Sequence, residues 1–338
     1  MTSLKSILYS FIATFGLPSG IHRLLYPSNI SILMYHGIVD NPLYLPDWCL
    51  IDSSSFRNQL QYLKRHFNIV SLTDAVALLA SGNIDEPTAV ITFDDGYQNN
   101  YDCAFPILRE AGIPATIFLT TGLLDTNLTV WTGHLHDAFA NTSLSTISWR
   151  GQTFDISTKD NKLKSLQAIK NTLKHQDHSY LQKEVYEIVC SLVGDEGYHI
   201  NENSPYRMLS EASIRKMQDS GLIEFGAHTH NHPILSNLSK DRQEFEIGRS
   251  IEKVGTLIGK PCTLFAYPNG SKNDYSDITI SILKEHGITI ALTTIEDTCK
   301  SGTPNMELRR FSIGSNMNLA NFKLTVHNTI NMTKMLFN

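Results

Sequence analysis

The sequence predicts an α/β protein, a distorted (β/α) barrel of about seven parallel strands with a helical insertion. Short apolar runs alternate with helix-like stretches along most of the chain, which is typical of parallel sheets. The length of 338 residues suits one catalytic domain of this architecture with insertions. Barrel enzymes place their active sites where strands end, so residues that follow strands are the first candidates for chemistry.

Seven apolar segments rich in β-branched residues have the pattern of buried strands: Ile30–Met34, Asn68–Ser71, Ala89–Phe93, Ala115–Leu119, Ile223–Phe225, Thr263–Ala266 and Ile288–Thr293. Helical spacing of apolar residues predicts helices between them, at Ser54–Arg65, Leu72–Ala80, Asn99–Ala111, Ser210–Ser220, Lys240–Leu257 and Ser276–His286. Glycine directly follows three of these helices, which is typical of a helix C-terminus. Because helices join successive strands, we expect the strands to pair in parallel.

An insertion interrupts this alternation at about residues 124–208. It contains the polar and aromatic stretch 131–137, followed by two helical patterns, at about Lys162–Lys174 and Ser179–Val193. We interpret it as a lid or insertion within one catalytic domain that spans residues 28–338.

Residues 1–27 predict an N-terminal amphipathic helix, because apolar side chains recur at helical spacing between Leu4 and Phe15. This apolar stretch is too short to span a bilayer. No small-x-small cleavage site precedes Leu17–Gly20, which favours a cytoplasmic location over secretion. The helix could pack on the domain or contact the inner membrane peripherally through residues 1–20, and packing is the favoured alternative.

Composition and charge exclude several classes of protein. Hydrophobic residues make up 41% of the chain and charged residues 18%, as in a folded soluble protein. The net charge is −5 and no Lys/Arg stripe is present, which argues against a nucleic-acid partner. The five cysteines are scattered without C-x-x-C spacing, so we interpret them as free thiols in a reducing compartment.

Two adjacent carboxylates, Asp94 and Asp95, end the strand at Ala89–Phe93 and precede Gly96. Glycine lets the backbone turn sharply, so both acids can reach one site. Such a pair suits a site in which one carboxylate binds a metal and the other acts as a general base. Taken alone, the pair is better explained as a turn after a strand, so it needs partners elsewhere in the chain.

Three histidines, His228, His230 and His232, follow the strand at Ile223–Phe225. Histidines four residues apart in a helical turn share one face and can bind one metal, whereas His230 is expected to support the turn. With Asp95 as third ligand, this donor set fits one divalent ion, Zn²⁺ first, with Co²⁺, Ni²⁺ or Fe²⁺ as alternatives. The competing interpretation is a polar loop with incidental histidines.

Three motifs together resemble the polysaccharide deacetylases, carbohydrate esterase family four, which includes chitin, peptidoglycan and nodulation-factor deacetylases. They are T-F-D-D-G at 92–96, H-T-x-x-H at 228–232 and F-A-Y-P-N-G at 265–270. The third is similar to the F-A-Y-P-x-G form of the branch that modifies exported and surface polysaccharides. The resemblance extends from Ile32 to about Arg310 and is loose in the insertion.

The resemblance implies a role for each matching residue of the first two motifs. Asp94 would be the general base. Asp95, His228 and His232 would be the metal ligands, and Thr229 would brace the histidine loop.

The third motif implies three further site residues. The backbone N–H of Asn269 would help to hold the developing oxyanion, and Tyr267 and Pro268 would contact the substrate. This chain departs from the family's best-known members by having Ala266 where they have an arginine near the base. Arg310 is our candidate to supply that charge.

The general acid is not given by the resemblance, because the family's late Leu-x-x-His motif is absent between Ala291 and Ile313. His36 is the first candidate, since it ends the first strand and should lie on the rim of the barrel. His136 in the insertion is the second candidate. A structural role for His36 remains the alternative.

The resemblance therefore implies a metal-dependent hydrolase that removes an acetyl group from an N-acetylated sugar in a glycan or glycan precursor. The carbohydrate substrate could be lipid-linked or nucleotide-linked. Removal of another small acyl group, such as formyl, and glycan binding by a weakly active pseudo-enzyme are the alternatives. Trp131, Trp149 and Phe154 could stack on a sugar or pack in the insertion, and packing is favoured for Trp149.

Overall fold

The computed structural model describes residues 19–20, 28–174 and 176–329. The N-terminal helix predicted for residues 1–27, and the membrane contact through residues 1–20, lie outside the described residues except for positions 19 and 20. Within the described ranges, none of the helices is both long and apolar enough to cross a bilayer.

The described residues form strands and helices in alternation. The strands are β1 (Ile30–Tyr35), β2 (Gly37–Val39), β3 (Leu50–Asp52), β4 (Asn68–Ile69), β5 (Thr88–Phe93), β6 (Ala115–Leu119), β7 (Thr146–Trp149), β8 (Gln152–Asp155), β9 (Ile223–Ala227), β10 (Leu264–Ala266), β11 (Ile290–Leu292) and β12 (Phe311–Ser312). The α-helices are α1 (Ser53–His66), α2 (Leu72–Ser81), α3 (Phe105–Ala111), α4 (Trp131–Asn141), α5 (Lys159–Leu173), α6 (His178–Val193), α7 (Glu211–Asp219), α8 (Lys240–Ile258), α9 (Asp277–Glu285) and α10 (Leu319–Val326).

The main sheet has the strand order β11-β10-β9-β6-β5-β1-β12, with β4 beside β5, and its pairs are parallel. Strand β5 has three neighbours, because β4 pairs with its first two residues and β6 with its last two. Among the described residues no ladder joins β11 to β12, so the barrel is incomplete. The predicted distorted (β/α) barrel is confirmed.

Both faces of the main sheet are buried, and successive strand residues face opposite sides. Ile91 and Phe93 of β5 belong to the apolar layer that the sheet shares with α1, α3, α7, α8 and α9. Val90, between them, belongs to a second apolar cluster that includes one side of α2. This two-sided burial explains why the strands are continuous apolar runs in the sequence.

The insertion has its own hydrophobic core, built from α4, α5, α6 and the antiparallel hairpin β7–β8. Phe139, Ile169 and Val185 lie in this core and are fully buried. Trp149 donates its indole N–H to Glu184 of α6 at 2.6 Å, so its ring packs within the insertion. The helical insertion therefore has a hydrophobic core of its own, which also takes in Leu45 from the segment between β2 and β3.

The helix predicted at Asn99–Ala111 is wrong in its first half. The segment Asn100–Ala104 is a π-helical turn, and the regular helix begins only at Phe105. Pro106 has no N–H to donate into an α-helix, and the Phe105 N–H instead bonds to the carbonyl of Asn100, five residues earlier. The prediction also lacked several short elements, namely β2, β3, β7, β8, β12, α4 and α10.

Candidate active site

The acidic and histidine motifs meet at one rim of the barrel because each follows a parallel strand. Asp94 and Asp95 follow β5, His228 follows β9 and His36 follows β1. All four line a cleft of about 570 Å³, which lies within the range of ~300–1,000 Å³ typical of small-molecule sites. Helix α5 of the insertion forms another part of the cleft wall.

Asp95, His228 and His232 form a cluster whose ligand atoms all lie within 4.8 Å of one another. Asp95 Oδ1 is 3.6 Å from His228 Nε2 and 3.3 Å from His232 Nε2. This carboxylate oxygen is buried and has no hydrogen-bond partner among the described residues. A buried, unsatisfied anionic oxygen facing two imidazole nitrogens is the donor set of a divalent metal site.

The ring of His228 is oriented by the third motif. Its Nδ1 lies 2.7 Å from the carbonyl oxygen of Ala266, the last residue of β10, so Nδ1–H donates and Nε2 keeps its lone pair toward Asp95. This backbone contact from behind the ring is the usual support for a metal-binding histidine. The third motif thus serves the histidine site through its backbone.

The protonation states of the cluster suit a cation. Burial lowers the pKa of His228 to about 4, so its ring is neutral near pH 7. Burial opposes the charge of Asp95, but the His232 ring, 3.3 Å away, outweighs burial and lowers the pKa of that carboxyl. Burial likewise opposes protonation of His232, while Asp95 raises its pKa overall. A proton and a metal ion therefore compete for the same position.

The loop that carries the histidines is held in an unusual backbone conformation. Thr229 and His232 have φ values of 64° and 60°, and Asp95 across the site has a φ of 71°. A positive φ is rare for a β-branched residue such as Thr229. The Thr229 hydroxyl accepts the His232 N–H at 3.0 Å and donates to the carbonyl oxygen of His228 at 2.5 Å. Thr229 therefore fixes the distance between the two histidines.

Glu246 of α8 is a buried support for the same loop that the sequence did not reveal. Its carboxylate accepts the backbone N–H groups of His230 and Asn231, at 3.1 and 2.7 Å, and the Asn231 side-chain amide at 2.8 Å. His230 also contacts Thr121 through Nδ1 at 3.1 Å and does not line the cleft. A Cβ on Gly122 would lie 2.7 Å from the His230 carbonyl oxygen, so the loop packs closely here.

Replacing Glu246 by alanine is expected to lower both stability and metal affinity, since three donors lose their acceptor. We expect a loss of about 3 kcal/mol in unfolding free energy and ~10–100-fold weaker metal binding. Urea denaturation and metal titration measure the two effects. Glu246→Gln should recover part of both, and Glu252→Ala, an exposed position of the same helix, should change neither. Equal metal affinity in all three variants would contradict this role.

Asp94 is held by Arg310, which lies just before β12 and is fully buried. The guanidinium donates to both carboxylate oxygens, at 2.7 and 2.8 Å, and its Nε donates to the carbonyl oxygen of Thr293 at 2.8 Å. Burial alone would raise the pKa of Asp94, but the charge of Arg310 outweighs burial and lowers it. Arg310 thus places a positive charge beside Asp94, as we predicted from the presence of Ala266 where the family's best-known members have an arginine.

The two candidate acids differ in how their rings are engaged. His36 lines the cleft, and its ring meets Trp48 edge-on at 5.1 Å while its Nδ1 has no hydrogen-bond partner among the described residues. His136 also lines the cleft, and its Nδ1 has no hydrogen bond either, but its Nε2 contacts the Leu45 carbonyl oxygen at 3.0 Å and its Nδ1 lies 3.2 Å from Asp47. The geometry therefore leaves His36 freer to exchange a proton.

The third motif does not bring all its residues to the cleft. Asn269 lines the cleft with a φ of 57°. Tyr267 is buried, stacks on Tyr275 at 4.2 Å and donates its hydroxyl to the Met306 carbonyl oxygen. Pro268 is also buried and does not line the cleft. The side chains of Tyr267 and Pro268 are buried and do not line the cleft, so a contact of either residue with substrate stays a prediction.

The comparisons with known proteins show to which family the chain belongs. The family model described as polysaccharide deacetylase matches residues 81–291, and the chain belongs to that family. The poly-beta-1,6-N-acetyl-D-glucosamine N-deacetylase of Staphylococcus epidermidis is 27% identical over 188 residues, which cover 52% of this chain and 60% of that protein. The Staphylococcus aureus enzyme of the same name is 22% identical over 267 residues, covering 75% and 63%. The chain spans less than two thirds of the length of these two relatives.

Two solved structures share the fold. The Streptococcus pyogenes deacetylase PplD in complex with acetate superposes with a TM-score of 0.57 at 20% identity, covering 89% of this chain and 99% of that one. IcaB from Ammonifex degensii gives a TM-score of 0.56 at 18% identity, covering 89% and 97%. These structures confirm the fold, and the family model confirms the family resemblance predicted from the motifs.

Proposed function

We propose that this protein is a metal-dependent hydrolase that removes the acetyl group from an N-acetylated sugar of a glycan or glycan precursor. The proposal rests on one observation: two adjacent carboxylates in one cleft have different partners. Asp95 faces His228 and His232, whereas Asp94 is held by Arg310. This division provides a metal site and a separate base, and the family and its deacetylase relatives support the reaction class.

Asp95, His228 and His232 would hold the metal, and their two nitrogens and one oxygen favour Zn²⁺, with Co²⁺, Ni²⁺ and Fe²⁺ as alternatives. When bound, the ion would polarise the acetamide carbonyl and make the attacking water more acidic. This second effect matters here because the low pKa of Asp94 makes it a weak base.

The chain's own residues would carry the proton transfers. Asp94 takes a proton from the water whose oxygen attacks the carbonyl carbon, and Arg310 keeps that carboxylate ionised and oriented. The Asn269 amide would stabilise the developing oxyanion. As the C–N bond breaks, His36 would give a proton to the departing nitrogen. Acetate and a free amino sugar are the products.

Replacing His36 by asparagine is expected to lower turnover by at least about tenfold, because the leaving amine loses its proton donor. Replacing His136 by asparagine should lower the free energy of unfolding, since both ring nitrogens of His136 face protein groups. Its turnover should fall less than that of the His36 variant. Acetate release and urea denaturation separate these effects. A larger loss of turnover in the His136 variant than in the His36 variant would reverse the assignment.

The reaction is tested by measuring acetate released from nucleotide-linked, lipid-linked and polymeric N-acetylated sugars by the metal-loaded protein. We expect acetate from at least one class, and none after His228→Ala. Release of formate from the matching N-formyl sugars alone would show that another acyl group is the substrate. Binding without release from any of these sugars would identify a pseudo-enzyme.

A further inference from the structure

One face of helix α5 forms the insertion's side of the cleft. The cleft-lining residues recur at spacings of three and four, as one helix face requires: Leu163, Leu166, Gln167, Lys170, Asn171 and Lys174. The chemical character of this face changes along the helix: the leucines come first, and the two lysines lie at the C-terminal end. The metal-site residues line the same cleft.

Neither lysine forms a direct ion pair within the described part of the chain, although the charge of Asp47 acts on Lys170. In the described part of the chain, no carboxylate lies within 4.0 Å of either ammonium group. Asp47 is the acidic group near Lys170 in the cleft, and it is already engaged by His136 and by the Tyr206 hydroxyl at 3.0 Å. Burial lowers the pKa of Lys170, as expected for a cation partly withdrawn from water.

We propose that Lys170 and Lys174 bind the phosphate or diphosphate of a sugar whose acetamide group lies at Asp95, His228 and His232. The substrate would then be a phosphate-linked N-acetylated sugar rather than a neutral polymer, an inference that rests on the proposed deacetylase function. The two lysines and the three metal-site residues line the same cleft of about 570 Å³.

The spacing of the cations favours phosphate. Residues four apart on a helix have Cβ atoms roughly 5–6 Å apart, so two flexible lysines can close on one phosphate or bridge a diphosphate. Lysine is a common phosphate ligand as a point charge, whereas paired recognition of a carboxylate favours the arginine fork. An alternative role for the two lysines is to stabilise the C-terminus of helix α5, where cations are favourable. That role does not explain why both side chains face the cleft.

The first test compares acetate release from N-acetylglucosamine 1-phosphate and from the neutral methyl glycoside of N-acetylglucosamine. We expect kcat/KM to be at least about tenfold higher for the phosphate, mostly through KM. Lys170→Met and Lys174→Met should each reduce this preference, and the double variant should remove it. Lys164→Met, on the exposed side of the same helix, should preserve it. An equal kcat/KM for the two substrates in the wild type would overturn the proposal while leaving the deacetylase function intact.

A binding measurement separates this proposal from turnover. In the metal-loaded Asp94→Asn variant, calorimetry should show at least about tenfold tighter binding of the phosphate than of the glycoside, and adding both Lys170→Met and Lys174→Met to that background should abolish the difference. Equal binding would overturn the phosphate site whether or not the wild type releases acetate. Absence of acetate release despite selective binding would instead overturn the deacetylase function. Uridine-diphosphate-linked and prenyl-diphosphate-linked N-acetylglucosamine, compared in the same assay, identify which source of phosphate is preferred.

Discussion

Replacing Asp94 by asparagine is expected to lower the turnover number for acetate release by about 10²–10⁴-fold. The amide has nearly the same shape as the carboxylate but cannot accept the proton of the attacking water. The metal content should stay at one ion per chain, because Asp94 is not part of the Asp95, His228 and His232 cluster. Steady-state kinetics and elemental analysis of the purified protein measure the two quantities.

The neighbouring residue provides the control. Asp95→Asn should also be inactive, but through loss of bound metal, since its carboxylate supplies the anionic donor of the cluster. Asp102→Asn, which removes a surface carboxylate paired with Arg207, should affect neither quantity. Turnover above about a tenth of the wild-type value in the Asp94 variant would show that another group is the base.

Replacing Arg310 by methionine is expected to destabilise the protein by about 3–5 kcal/mol, because the Asp94 carboxylate stays buried without its counter-charge. Urea denaturation at neutral pH measures this loss. Arg309→Met is a matched control, because Arg309 pairs with Asp297 at the surface, and such pairs contribute about 0–1 kcal/mol. Similar losses in the two variants would show that the buried pair contributes no special stability.

The pH dependence of this loss has a definite sign. In the wild type Arg310 lowers the folded-state pKa of Asp94, so the pair contributes its stability above the unfolded pKa of ~3.9 and loses it as the pH falls toward the folded pKa. Without Arg310, burial raises the pKa of Asp94 above its unfolded value, and the ionised form becomes unfavourable. The difference between variant and wild type should therefore be largest at neutral pH and shrink in acid. The acid limb of activity should move to higher pH.

The barrel could be predicted from sequence because its strands are buried on both sides and separated by regular helices. Elements with weaker local signals were missed. Strand β12 has only two residues, and β2 and β3 have three each, and the sequence did not predict them. The π-helical turn at Asn100–Ala104 was read as ordinary helix because its apolar pattern is helical, and only Pro106 marks the change.

The parts of the site that lie within one motif were also predictable, whereas those that depend on distant contacts were not. Asp94 and Arg310 are separated by 216 positions, and only the missing arginine at Ala266 indicated that a partner was needed. Glu246 lies between Phe245 and Ile247 of α8, and its residue type alone does not distinguish it from a solvent-facing acid. Tyr267 adjoins residues of the site, but its side chain points into the core, which the motif alone does not show.

The separate core of the insertion makes the protein modular. Asp94, Asp95 and the histidines are carried by loops of the barrel, whereas the α5 face belongs to a unit with its own apolar interior. Substitutions on that face need not disturb the packing beneath the catalytic carboxylates. Substitutions on the α5 face can therefore alter which molecules enter the cleft while the catalytic carboxylates and histidines keep their supporting contacts.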